Sequence, residues 1–102
     1  MDRNSRLKNA VGLCMRAGKC TSGDFAVSKL LPGGKVKLVI LDSEASDNLV
    51  KQYADASAYY GFKLMQMRDA GAAIGKPERK VLAVCDANFV KLIDEAAASQ
   101  EY

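Results

Sequence analysis

The sequence has no histidine and no tryptophan, and only two prolines and three cysteines among its 102 residues. Without histidine the commonest general base near neutral pH is missing, which excludes hydrolytic triads built on it. A zinc site would have to rely on thiolates and carboxylates, and Cys14, Cys20 and Cys85 lack the spacing of metal or redox motifs. Cys14 and Cys85 sit among apolar neighbours and are expected to be small buried hydrophobes. Nothing near Cys20 resembles a general base that would make it a nucleophile. No apolar run approaches the ~20 residues of a membrane helix, and the opening Met-Asp-Arg-Asn-Ser-Arg has no apolar stretch behind it suited to a secretory signal. The expectation is a cytoplasmic chain with no membrane partner, no metal and no cofactor.

What is present is the ordinary material of one soluble domain, 49% hydrophobic and 26% charged. The net charge of +3 is unevenly spread. Residues 1–37 carry eight Lys or Arg against two Asp, whereas the remainder carries seven basic and ten acidic residues. A basic first third suggests an anionic partner, nucleic acid above all. Solvent-facing lysines that bind nothing would produce the same count.

Hydrophobic periodicity predicts a helix from about Asn4 to Ala17, with Leu7, Ala10, Val11, Cys14 and Met15 on one face and Gly18 ending it. Lys19 to Thr21 reads as a short extended piece. Ser22 is placed as N-cap of a second helix, with Gly23 just inside, Val27, Leu30 and Leu31 inward and Lys29 outward. Pro32-Gly33-Gly34 stops it. Val36 to Leu41 reads as a strand covered on both faces. Asp42 to Ala45 is a turn, and Ser46 caps a third helix that runs to Gly61. Phe62 to Met67 and Lys80 to Cys85 are further strands, with a short helix from about Arg68 to Ile74 between them. Asp86 and Ala87 open a last helix. Strands alternating with helices predict a three-layer α/β/α sandwich, and right-handed crossovers would make its sheet largely parallel.

Gly71-Ala-Ala-Ile-Gly75-Lys76-Pro77 only superficially resembles a nucleotide-binding loop. A P-loop has four residues between its glycines, a Ser or Thr after the lysine and a strand before it, and none of these is met. Tyr53, Tyr59 and Tyr60 are expected in the core or on an ordinary surface rather than stacked on bases. Asp42 and Glu44 stand where a strand ends, either at a binding rim or simply in a turn. Three polar segments therefore terminate core elements: Ser22-Gly23-Asp24, Asp42 to Ser46, and Gly75-Lys76-Pro77-Glu78-Arg79. Gathered at one end of the sandwich, they would be framed by Lys19, Lys29, Lys76 and Arg79. Helix starts and lysines position phosphates, while base readout needs side chains at base edges.

Four segments in order carry a family resemblance: Ala10 to Lys19, Ser22 to Lys29, Lys35 to Ser46, and Ala70 to Lys76 leading into the strand that ends at Cys85. Through them the chain resembles the L-seven-Ae / L-thirty-e family of ribosomal and kink-turn-binding proteins, and within it a bacterial branch. The resemblance implies an α/β/α sandwich with a small mixed four-stranded sheet, the piece at Lys19 to Thr21 supplying the extra strand. It also implies RNA binding. Family members read sheared G·A pairs through a Gly-x-Asn-Glu motif at the second helix start, with a lysine one turn on and a loop before the last strand. By position these are Gly23, Lys29 and Gly75 to Arg79, but Phe25 and Ala26 stand where Asn and Glu would be. Neither side chain can hydrogen-bond a base edge. Phe25 either stacks on a base or packs against Ala17 or Leu30, with packing the first expectation.

The resulting expectation is a non-catalytic, monomeric RNA-binding protein of the translation apparatus with altered kink-turn specificity. The candidate RNA-contacting residues are Lys19, Ser22, Gly23, Asp24, Phe25, Lys29, Glu44, Ser46, Gly75, Lys76, Pro77, Glu78 and Arg79. The ribosome or translation or transcription factors would be further partners. The alternative is a protein–protein adaptor, which exposed apolar residues on the first or last helix would favour. A detached recognition domain like those of RNA ribose methyltransferases is a third reading, bringing RNA but no reaction.

Overall fold

A computed structural model describes residues 5–98. In chain order the elements are α1 (Ser5–Arg16), β1 (Cys20–Ser22), α2 (Asp24–Leu30) with a following 3-10 turn (Leu31–Gly33), β2 (Leu38–Asp42), α3 (Asp47–Tyr60), β3 (Lys63–Met67), α4 (Ala70–Ala73), β4 (Val81–Val84) and α5 (Ala87–Ala98). The first helix buries Leu7, Ala10, Val11 and Cys14, the spacing of one helical stripe. It ends as its glycine foretells. Gly18 takes φ +73°, and the amides of Gly18 and Lys19 each donate back into the last turn at 3.0 Å, to Met15 and Cys14. This double bond pattern reverses the chain directly into β1.

The sheet has strand order β1-β4-β2-β3. Only β2 and β3 run parallel; β4 is antiparallel to both its neighbours, β1 and β2. The sheet is therefore mixed, as the family resemblance implied, and not largely parallel, as the strand–helix alternation suggested. The reason lies in α4. A crossover to a parallel strand must carry the chain back along the sheet, and a helix of four residues cannot do so. The chain leaves β3 and enters β4 at the same end of the sheet.

Alternate residues of the central strands feed two cores. Leu38, Ile40, Leu82 and Val84 face α1, α4 and α5, together with Leu7, Val11 and Ile93. Val39, Leu41, Val81 and Ala83 face α2 and α3, together with Val27 and Tyr53. All five residues of β2 are buried, as its unbroken apolar run requires. Two sequence expectations fail on exposure. Leu30 lies on the exposed side of α2, because a helix this short turns only one narrow stripe inward. Cys85 is exposed because β4 has already ended at Val84.

Candidate nucleic-acid interface

Register places the three polar segments at one end of the sheet. Ser22 pairs with Leu82 and Leu41 with Val81, so the end of β1, the end of β2 and the start of β4 share that edge. Asp42 holds the edge together. It is buried, 3% exposed, and its carboxylate accepts from the amides of Glu44 at 2.8 Å and Ala70 at 3.0 Å. Its own amide donates to the Lys80 carbonyl at 2.9 Å. Asp42 thus fixes the turn after β2, caps α4 from across the rim and ties both to β4. It belongs to the framework, and Glu44 beside it is exposed and outside the cleft formed there.

The capping of α2 differs from the sequence expectation. Ser22 is the last residue of β1, and Gly23 is the cap, at φ +95° and ψ 140°, with no side-chain cap bond. Its amide donates to the Val81 carbonyl at 2.8 Å, which pulls it into the strand ladder. The positive φ is what favours glycine here, and Arg79 closes in on the space beside it. Its Nη1 donates to the Ser22 carbonyl at 3.2 Å, and a Cβ on Gly23 would collide with that guanidinium nitrogen. Loop 75–79 is seated by a second glycine. A Cβ on Gly71 would strike the carbonyls of Lys76, Pro77 and Arg79. The glycine that suggested a phosphate loop instead lets α4 approach this backbone.

Asp24 opens α2 and anchors it. Its Oδ1 accepts from Tyr53 Oη at 2.6 Å, Gln52 Nε2 at 3.2 Å and Ser28 Oγ at 3.2 Å. The Tyr53 hydroxyl is pushed up to about 12, first by burial and then by this carboxylate, which disfavours a second negative charge. Across from α2, Ser46 caps α3 as the sequence indicates, its hydroxyl accepting from the Leu49 amide at 3.1 Å.

These elements enclose a cleft of about 470 Å³ lined by Gly23, Asp24, Phe25, Ser46, Leu49, Glu78, Arg79, Lys80 and Val81. Six of these are candidates from the sequence; Leu49, Lys80 and Val81 are not. The signal for Lys80 was its place between the basic loop and a strand that starts on the same rim. Phe25 is 75% exposed, so it packs against neither Ala17 nor Leu30. Its ring is covered on one side by Lys29, four residues on, whose ammonium lies 4.2 Å from the centroid.

The remaining candidates fall elsewhere. Lys19 lines a separate hollow with Thr21, Leu30 and Cys85, at the opposite end of β1. Lys76 does not line the cleft. The half-buried Cys20 thiol is held below the usual cysteine range first by a hydrogen bond with Cys14 and, against the opposing effect of burial, by the charge of Lys76, while the Cys14 thiol is driven up by that bond and by burial. Gly75, at φ +75°, and the exposed Pro77 shape the loop without lining the cleft. Among the described residues no group of three His, Cys, Asp or Glu is placed to hold a metal, and no helix is long and apolar enough to cross a membrane.

By fold and site, then, the chain is a small α/β/α sandwich with a mixed sheet and a rim cleft where Arg79 and Lys80 stand beside the carboxylates of Asp24 and Glu78. No family model matches it. Two curated relatives do: the RNA-binding protein YlxQ of Enterococcus faecium is 36% identical over 100 residues, covering 93% of this chain and 96% of the relative. The RNA-binding protein YlxQ of Bacillus subtilis (strain 168) is 40% identical over 87 residues, covering 81% and 87%. The chain belongs to the YlxQ family. Among solved structures, a Bacillus halodurans protein of unknown function superposes with a TM-score of 0.80 at 32% identity, covering 95% of this chain and 98% of that one. A Giardia lamblia 15.5 kD RNA-binding protein superposes with a TM-score of 0.75 at 18% identity, covering 99% and 89%, a likeness of fold.

Proposed function

We propose that this chain is a non-catalytic RNA-binding protein of the L-seven-Ae / L-thirty-e kind, acting in the cytoplasm on structured, kink-turn-like RNA of the translation apparatus. The observation that carries the reading is the convergence of Arg79, Lys80 and the exposed Phe25 ring on one rim cleft, with Lys29 seated against that ring. Cationic side chains meet phosphates there, and an exposed aromatic ring offers a face to an unstacked base. The names borne by the two YlxQ relatives support RNA as the partner.

Base specificity is altered in this reading. Phe25 and Ala26 offer no hydrogen-bonding group to a guanine edge, and Asp24 Oδ1 is already committed to Tyr53, Gln52 and Ser28. Discrimination rests on stacking and RNA shape, with phosphate contacts supplying most of the affinity.

Fluorescence anisotropy with a panel of labelled RNAs, kink-turns with and without the tandem G·A pairs included, tests this. Binding should weaken steeply with salt as counterions are released. Phe25→Ala should change the ranking of the RNAs by about tenfold, a stacking contribution of roughly 1–3 kcal/mol, while leaving stability unchanged. A folded sample that binds no RNA at low salt refutes the reading.

A further inference from the structure

On the face of the sheet away from the cleft, α1 and α5 pack side by side and leave a groove of about 320 Å³ between them. Its lining is Arg6, Asn9, Ala10 and Leu13 from α1, and Leu92, Glu95 and Ala96 from α5. Leu13 and Leu92 are 47% and 40% exposed, whereas α1 otherwise buries its apolar stripe and α5 buries Ile93. Ala10 and Ala96 pack into the core that Leu7, Val11 and Ile93 fill, and Leu13 and Leu92 flank that floor as apolar surface outside it.

The charges on this face are ordered. Cys20 pairs with Val84, so the end of α1 and the start of α5 lie at the same edge of the sheet and the helices run antiparallel. Arg6 and Glu95 therefore share one end of the groove, while Leu13 lies towards the other with Leu92. A two-fold axis along the groove sets α1 of one copy against α5 of the other. That operation brings Arg6 opposite the second copy's Glu95 and Leu13 opposite its Leu92, at both symmetry-related positions. A face that is its own complement in charge and in apolar surface is what an isologous contact requires. We propose that this face pairs two copies of the chain into a dimer with a four-helix core, leaving both rim clefts open on the outer sides.

The contact is small. Two helices of 12 residues are each about 18 Å long, and a standard interface needs about 800 Å² per partner. Pairing is thus concentration-dependent, and the monomer expected from the sequence is the dilute form. This inference does not rest on the RNA reading.

Sedimentation equilibrium on the full chain, free of RNA, from about 1 µM to about 500 µM should show the mass rising from 11.0 kDa towards twice that value. Leu13→Glu, at an exposed position, should hold it monomeric throughout. Arg6→Glu should weaken pairing, and adding Glu95→Arg to it should restore pairing, because the two charges only exchange sides. A monomer at every concentration overturns the proposal. If hydrogen exchange then finds the groove amides of that monomer protected, the chain's own terminal residues are the occupant; if unprotected, the face is left to a different protein. A dimer indifferent to Leu13→Glu, or a charge swap that fails to rescue, also overturns it.

Discussion

Tyr53 donates its phenolic proton to Asp24 Oδ1 at 2.6 Å, so a fully buried residue of α3 holds the first residue of α2 in place. The residue that looks most available for ligand contact at the helix start is thereby bound to the core. Tyr53→Phe keeps the ring and removes the donor. Its cost in urea unfolding should be about 1.5–3 kcal/mol, the range for a hydrogen bond to a charged group. Burial of the phenol, reinforced by the same bond, sets a pH dependence. Because folding raises the Tyr53 pKa from 10.0 to about 12, its stabilisation is complete below pH 10 and is lost as pH rises to about 12. The phenylalanine variant should lack that part of the alkaline decline. Identical declines in the two proteins would contradict the assignment.

Gly23→Ala should destabilise the rim. It combines a φ of +95° with a collision against the Arg79 guanidinium. A loss of roughly 1–3 kcal/mol is expected from the backbone conformation alone. Adding Arg79→Ala should recover only the steric part. A double-mutant cycle with no coupling between the two positions would show that they do not meet.

The cations should divide by location. Arg79→Ala, Lys80→Ala and Lys29→Ala should each weaken RNA binding across all sequences and lower the salt slope by about one. Lys19→Ala and Lys76→Ala should have little effect, since neither side chain lines the cleft or, as Lys29 does through Phe25, sits against a residue that lines it. Anisotropy titrations at several salt concentrations separate the two groups. A large loss on Lys19→Ala would move the interface to the other end of β1.

Asp42→Ala should destabilise the fold by about 2–5 kcal/mol, because it leaves the Glu44 and Ala70 amides without their acceptor near a buried site. Asp42→Asn, which keeps one acceptor oxygen, should cost less. Chemical denaturation of both variants checks the order. If alanine proves no worse than asparagine, the carboxylate is not what holds the rim.

The chain's local signals carried a large part of this structure. Gly18 and Gly61 end their helices in the left-handed conformation, Ser46 caps α3, and the unbroken apolar run over β2 is buried on both faces. Each is decided within a few residues, by backbone sterics, a single side-chain hydrogen bond or the burial of consecutive apolar groups. The placing of three polar segments at ends of core elements was legible for the same reason. The sheet's direction and the membership of the cleft were not. Both depend on which end of the sheet α4 returns the chain to, and no window of sequence contains that end. Phe25 reads first as a packed residue, and its exposure follows only from the folded α2, a seven-residue helix whose one inward stripe is already taken by Val27. Lys76 and Arg79 are three positions apart in one basic loop, yet only Arg79 lines the cleft. Composition and local pattern determined the elements and their caps; long-range packing alone decided which charges share a cleft.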